Sequence, residues 1–152
     1  HRLTGDPIGN LYSLPSARRR ERELIRKATE IAELLRLSDE LDNAVKNLPY
    51  GVQKRVEIAR ALAGDPEIIL LDEPVAGCND DETAELREVI RKVNKDLGIT
   101  MLLVEHDMSM VMNVCDYIYV VNFGANLAEG TASEIRSNPQ VIKAYLGEEV
   151  TA

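Results

Sequence analysis

The sequence predicts an α/β domain on a mostly parallel sheet, and three observations predict it. Ile68-Ile69-Leu70-Leu71 is an unbroken apolar run bounded by Pro66 and Pro74, the pattern of a short strand buried on both faces under helices. Ile99 to Val104 is a second such run. Between them, Asp80 to Leu97 takes up a helical period, with Leu86, Val89, Ile90, Val93 and Leu97 on one face. Strands alternating with helices imply parallel pairing.

Composition narrows the field. A chain of 152 residues with 45% hydrophobic content suits one domain with its own core. The net charge of -8 argues against a nucleic-acid-binding surface. Cys78 and Cys115 lie far apart and fit no metal spacing, which points to a reducing compartment. No apolar run reaches membrane-spanning length and no signal-peptide pattern is read, so work at a membrane is expected to go through partners. The first residue is His1 rather than Met, which suggests a piece of a longer protein.

In chain order, His1 to Ser16 is a Gly-, Pro- and Ser-containing lead-in without periodicity. Ala17 to Arg36 reads as a helix with Ser16 as N-cap; Leu24, Ala28, Ile31 and Leu35 form its apolar face, flanked by Ile25 and Ala32. The mixed-charge run Arg18 to Glu23 is read as a solvated face. A shorter helix is expected over Asp39 to Lys46. After Leu48-Pro49-Tyr50-Gly51 comes a helix from about Gly51 to Ala63, striped by Val52, Val56, Ala59 and Ala63 with Ile58 and Leu62, and stopped by Gly64-Asp65-Pro66. A glycine turn opening a helix offers backbone N–H groups and the positive dipole end to a phosphate, although many such turns bind nothing. Beyond the loop Val75 to Asn79, Asp80, Asp81 and Glu82 favour the start of the long helix, and Gly98 ends it. Met108 to Val114 reads as a short helix and Asp116 to Asn122 as a third strand. Phe123-Gly124-Ala125-Asn126 turns the chain into Leu127-Ala128-Glu129, and short helices follow from Ser133 and over Pro139 to Leu146.

The first apolar run ends in Asp72-Glu73, at the sheet edge where open α/β folds bind ligands. Side chains alternate along a strand, so adjacent acids there can take different roles. A Walker B segment needs this arrangement: an Asp for a hydrated magnesium ion and a Glu for the water that attacks a γ-phosphate. On these residues alone, a solvated acidic turn is an equal reading.

The order of the pieces separates the two. A signature-like turn and helix, an apolar run ending in Asp-Glu, a loop, a helix, a strand and then His106 resemble the second half of the ATP-binding subunit of an ABC transporter, over nearly the whole chain from Ala17. Within that family the chain is most similar to branched-chain amino-acid importer ATPases. The residues carrying this are Leu48-Pro49-Tyr50-Gly51, Lys54 to Leu62, Ala76-Gly77 with Asn79, Val104 to Met108, and Ala144 to Gly147. Importers of urea and other small amides share much of the same wording.

The resemblance implies a partial P-loop NTPase core: residues 1–63 as part of the helical subdomain with the signature, and residues 64–152 as the rest. It implies that Asp72 holds magnesium through water, that Glu73 is the catalytic carboxylate and that His106 is the switch histidine. Leu48, Pro49, Tyr50, Gly51 and Val52 would face ATP bound to a second ATP-binding subunit in a head-to-tail dimer. Ala76, Gly77, Cys78, Asn79 and Asp80 would form the D-loop at that interface. Implied cofactors are ATP and magnesium; implied partners are the second ATP-binding subunit and transmembrane permease subunits, with no nucleic acid. The place of work would be the cytoplasmic face of the plasma membrane, without spanning it.

Some positions depart from the family pattern. Pro49 replaces the signature serine, Val52 stands where glutamine is commoner, and Cys78 and Asp80 alter the interface loop. Gly-x-x-x-x-Gly-Lys-Ser/Thr occurs nowhere in the chain, so no useful ATP affinity is expected from it alone. In the family, the strand before that loop lies between the strand ending at His106 and the strand from Asp116. A gap, a rearranged pairing or a strand from another copy is therefore expected. Alternative readings are a stand-alone piece that only binds partners, half of a DNA-repair ATPase, and a metallohydrolase using Asp72, Glu73 and His106. The acidic balance opposes the DNA-repair reading and the sparse ligand set opposes the metallohydrolase.

Overall fold

The structure is a computed structural model and describes residues 15–146. The chain divides into two compact units, one ending at Pro66 and the other beginning at Glu67.

The first unit is helical. Helix α1 spans Pro15–Leu34, so Ser16 lies inside it rather than capping it. Its charged run is a solvated face: Arg19 pairs with Glu23 at 3.2 Å and Arg26 with Glu30 at 3.0 Å, each four residues on and exposed. Such pairs each contribute a few tenths of a kcal/mol, roughly 0.2–0.5. The apolar face is buried only toward its C-terminal end, at Ala32 and then Leu35; Leu24 and Ile25 are exposed. The helix stops before Arg36. Arg36 is left-handed (φ 56), its N–H donates to Glu33 O, and the Leu37 N–H donates to Ala32 O at 2.7 Å. That is a Schellman closure with arginine where glycine is usual, joined by burial of Ala32 and Leu37.

Between Asp39 and Lys46 the expected helix is absent. Two single 3₁₀ turns, Ser38–Glu40 and Val45–Asn47, stand in its place. Leu41 and Val45 are exposed there, and a segment this short has no helical stability without a packed face. Helix α2 spans Tyr50–Leu62 with Pro49 as N-cap. It buries Gly51, Val52, Ile58 and Leu62, whereas Ala63 of the expected stripe is exposed. Two long cations fasten α2 to α1. Lys27 Nζ meets Ala63 O at 2.9 Å and the Asp65 carboxylate at 2.6 Å. Arg55 donates to the carbonyls of Leu35 and Arg36, just past the end of α1, where the helix no longer supplies partners.

The second unit is α/β. Strand β1 (Ile68–Asp72) pairs in parallel with β2 (Thr100–Val104), Leu70 opposite Leu102 and Asp72 opposite Val104. The crossover between them is α3, Asp80–Leu97. Its N-terminus is a reciprocal capping box: Asn79 Oδ1 accepts from the Glu82 N–H at 2.9 Å, and the Asn79 N–H donates to Glu82 Oε2 at 3.0 Å. Gly98 closes it at φ 65, where a glycine loses nothing. Leu86, Val89, Ile90 and Val93 are buried, but Leu97 is exposed, one turn beyond the covered stripe. The strands are not buried on both faces. Ile69 and Leu71 point inward, while Ile68, Leu70 (73% exposed), Leu102 and Val104 leave the opposite face open among the described residues.

Helix α4 (Met108–Val114) is N-capped by Asp107. Strands β3 (Ile118–Asn122) and β4 (Ala125–Gly130) then form an antiparallel hairpin. Its turn is only Phe123-Gly124, both at positive φ (47 and 80), the backbone of a two-residue type I′ hairpin loop. Val120 pairs with Ala128 and Val121 with Asn126, leaving Leu127 as the bulged extra residue. Helix α5 (Ala132–Ser137) opens with a second capping box, Thr131 with Glu134. Helix α6 (Pro139–Val141) runs on into a π-helical turn, Ile142–Leu146, where the Tyr145 hydroxyl donates to Val121 O at 2.7 Å. Val111, Ile118, Val120, Ile135 and Val141 make one core. The two pairs of strands stand as separate two-stranded sheets among the described residues, which is a gap, one of the three outcomes expected from the sequence.

Candidate functional site

The site lies where β1 and β2 end together. Asp72 is the last residue of β1 and is exposed. The chain then turns abruptly at Glu73, which holds φ 44, a left-handed conformation that costs a non-glycine residue about 1–2 kcal/mol. The Glu73 N–H still donates across the ladder to Val104 O at 2.9 Å, and Glu73 O accepts from the Ala76 N–H at 3.1 Å. This brings Glu73 Oε1 to 3.5 Å from His106 Nδ1, with 53% of the Glu73 side chain and 74% of the His106 side chain exposed. Two of the three residues the sequence singled out for chemistry are therefore neighbours, from segments that the parallel ladder brings side by side. Among the described residues, no side-chain hydrogen bond or ion pair of Asp72 accompanies them.

Beneath this pair lies a residue the sequence reading passed over. Glu105 has a side chain 1% exposed. Its Oε1 accepts from the Val75 N–H at 3.2 Å, and its Oε2 accepts from the His106 N–H at 3.1 Å and the Asp107 N–H at 3.4 Å. A buried carboxylate is tolerated where hydrogen bonds replace its hydration. No sequence signal marks this, because one donor comes from 30 residues upstream.

The loop after Glu73 is compact. Pro74 and Val75 are buried, Ala76 and Cys78 half-buried, and Gly77, Asn79 and Asp80 exposed. The Cys78 N–H donates to Val75 O, and Gly77 takes φ 81. Asn79, expected at an interface, is committed to the α3 capping box. Both cysteines are free thiols; burial, with help from Asp116, pushes the Cys115 thiol up from its ordinary value.

The signature-like segment belongs to the first unit. Leu48 and Val52 are buried, Gly51 is buried, and Tyr50 is exposed. Pro49 has lost its own N–H, but its carbonyl accepts from both Val52 and Gln53 at 3.0 Å. The Gln53 amide donates to Leu48 O at 2.8 Å. Two first-turn N–H groups that the sequence offered to a phosphate are thus bonded internally. Lys54 lies 5.4 Å over the Tyr50 ring. Its burial works against the charge, but Glu57 and Tyr50 together hold its pKa above the ordinary value.

Known proteins resemble this chain in sequence and fold. The family model described as "ABC transporter" matches residues 9–76, through the signature-like turn and Asp72-Glu73. The model described as "Branched-chain amino acid ATP-binding cassette transporter" matches residues 125–151. The chain belongs to the ABC transporter family. The high-affinity branched-chain amino acid transport ATP-binding protein LivG of Escherichia coli is 48% identical over 141 residues, 93% of this chain and 55% of the relative. The corresponding protein BraF of Pseudomonas aeruginosa is 45% identical over the same shares. A crystal structure of the ADP conformation of an ATP-binding cassette of an ABC transporter is similar at 36% identity and TM-score 0.73, covering 83% of this chain and 51% of that one. The α/β cassette fold expected from the sequence is therefore the fold of this chain, which spans about half the length of the curated relatives it matches.

The family implies ATP and magnesium, and the residues present fit one part of that requirement. An exposed carboxylate at a strand end suits a hydrated magnesium ion, which keeps most of its water. Among the described residues, no group of three His, Cys, Asp or Glu side chains could hold a metal directly. The sequence also carries no phosphate cradle of the Gly-x-x-x-x-Gly-Lys-Ser/Thr kind. No helix among the described residues is long and apolar enough to cross a membrane.

Proposed function

We propose that this chain carries the hydrolytic end of an importer's ATP-binding subunit, with branched-chain amino acids as the transported class. The observation that carries this is the Glu73–His106 approach of 3.5 Å at the shared ends of two parallel strands. The relatives' names supply the substrate class. Bound nucleotide and its magnesium would provide the electrophilic phosphorus, and Asp72 would hold the hydrated ion through water. The Glu73 carboxylate would accept a hydrogen bond from the attacking water and orient it. His106 would donate a hydrogen bond to the γ-phosphate and stand against Glu73. The Glu73 carboxylate stands 3.5 Å from the His106 imidazole, so the two adjacent acids would serve different atoms.

Leu48 to Val52 would serve the site of a second subunit. The glycine turn at Gly51 and the exposed Tyr50 beside it would make that contact. Ala76 to Asp80 would line the same subunit interface, held in shape by the Asn79–Glu82 capping box. Transmembrane permease subunits would receive the work at the cytoplasmic face of the membrane.

The test is ATP binding and turnover of this chain beside an upstream-extended version that includes a phosphate loop. We expect turnover only from the extended version. There, Glu73→Gln should keep ATP binding and lower turnover by about 10²–10⁴-fold, the usual contribution of a general base. Full turnover by that variant would remove Glu73 from its role.

A further inference from the structure

We propose that Glu105 is a positioning residue that ties the switch-histidine turn to the loop following the catalytic carboxylate, so that the two segments keep one registration. The inference rests on the functional reading above and adds to it a residue that acts through others. Each Glu105 oxygen has a different task. Oε2 gathers the N–H groups of His106 and Asp107, at 3.1 and 3.4 Å, which shapes the turn presenting the imidazole. Oε1 reaches across to the Val75 N–H at 3.2 Å, two residues past Glu73. One rigid, planar group thus spans both sides of the gap between Glu73 and His106.

The ladder alone does not define that gap, because the chain leaves strand geometry at Glu73 (φ 44). At this point the Glu73 N–H still bonds to Val104 O, and among the described residues the Glu105 carboxylate is the next link between the two segments. The side chain is 1% exposed, so water competes poorly for these bonds. Glu105 Oε2 also lies 3.9 Å from His106 Nδ1, farther than Glu73 Oε1 at 3.5 Å. The imidazole therefore sits nearer the exposed acid and the buried one holds the backbone below it. Because the bridge ends on Val75, a shift of the Ala76–Asp80 loop is transmitted to the His106 turn through one side chain.

Three substitutions separate the two arms. Glu105→Ser keeps an oxygen able to accept from the Asp107 N–H two residues on, the ordinary Ser turn, but cannot reach Val75. Glu105→Asp keeps the charge and shortens the reach. Glu105→Gln keeps the length and one accepting oxygen. In this chain, hydrogen exchange at the Val75 amide should quicken by roughly tenfold in Glu105→Ser and Glu105→Asp, with less change at Asp107. In the upstream-extended version, kcat for ATP should fall by about tenfold in both, with KM within about twofold, and Glu105→Gln should recover part of the loss. Unchanged Val75 exchange overturns the bridge. A variant with quickened exchange but unchanged kcat overturns the positioning role. An equal rise in KM with kcat intact would also overturn it, by making Glu105 a general support of nucleotide binding. An inactive wild-type extended chain would instead overturn the functional reading, and the exchange result would still decide whether the bridge exists.

Discussion

The hairpin β3–β4 and the parallel pair β1–β2 each have two strands, yet their outer faces differ in chemistry. In the hairpin, Ile118 and Val120 face a core completed by Ile135 and Val141, and the opposite face sets Tyr119 against Glu129 and Val121 against Asn126. That mixture is what a half-solvated antiparallel sheet carries. In the parallel pair, Ile69 and Leu71 are buried, but the other face is aliphatic: Ile68, Leu70, Leu102 and Val104, all exposed, with only Thr100 and Asp72 polar. The hairpin is closed by a two-residue turn and by helices that follow it directly. The parallel pair depends on an 18-residue crossover helix and carries the acids. The difference teaches that the chemically equipped part of this unit is the part whose packing asks for more cover than the described residues supply.

Substitution can break that comparison. The largest stability loss should come from Ile135→Ala in the finished core, about 2–5 kcal/mol by urea unfolding, from lost transfer energy plus a cavity. Gly130→Ala should follow, at about 1–3 kcal/mol. A Cβ there would sit 2.7 Å from Glu134 Oε2 at φ 152, so the capping box must yield. Leu70→Ser on the bare face should change stability by no more than about 0.5 kcal/mol, and should reduce binding of a hydrophobic dye. A cost at Leu70 equal to that at Ile135 would show that the bare face is covered, and the contrast would fail.

The smallest effect concerns acid. The Glu134 carboxyl is held below its ordinary value by the backbone N–H and hydroxyl of Thr131. A carboxyl lowered in the folded state stabilises above its unfolded pKa, and that contribution is lost as pH falls through the folded pKa. Acid titration of wild type against Glu134→Gln should therefore show a slightly steeper stability loss in wild type below the ordinary glutamate range. Identical slopes would remove the carboxylate from the cap.

Legibility followed the locality of the cause. Helix α3 was readable because the acids Asp80, Asp81 and Glu82 and the closing Gly98 announce both ends in the chain itself, although Asn79 was read as an interface residue rather than as the cap. The strands leading to Asp72 and His106 were readable from their apolar runs, and the two-sided apolarity that predicted burial survives as the bare face. Arg36 was not readable as a helix stop, since nothing in an arginine side chain announces a left-handed backbone. The 3₁₀ turns after Ser38 and the internal bonding of the Val52 and Gln53 amides also depend on local geometry that propensity does not resolve. Glu105 was visible as a letter but not as a bridge, because its second partner is far off in sequence.

The backward-turned backbone at Glu73 sets durability against chemistry at a single position. Glycine or asparagine would accept φ 44 with little or no strain, so either is expected to make the chain harder to unfold while deleting the catalytic carboxylate. A library selected only for heat resistance should drift away from glutamate at this residue. One selected for turnover should restore it and tolerate the weaker fold.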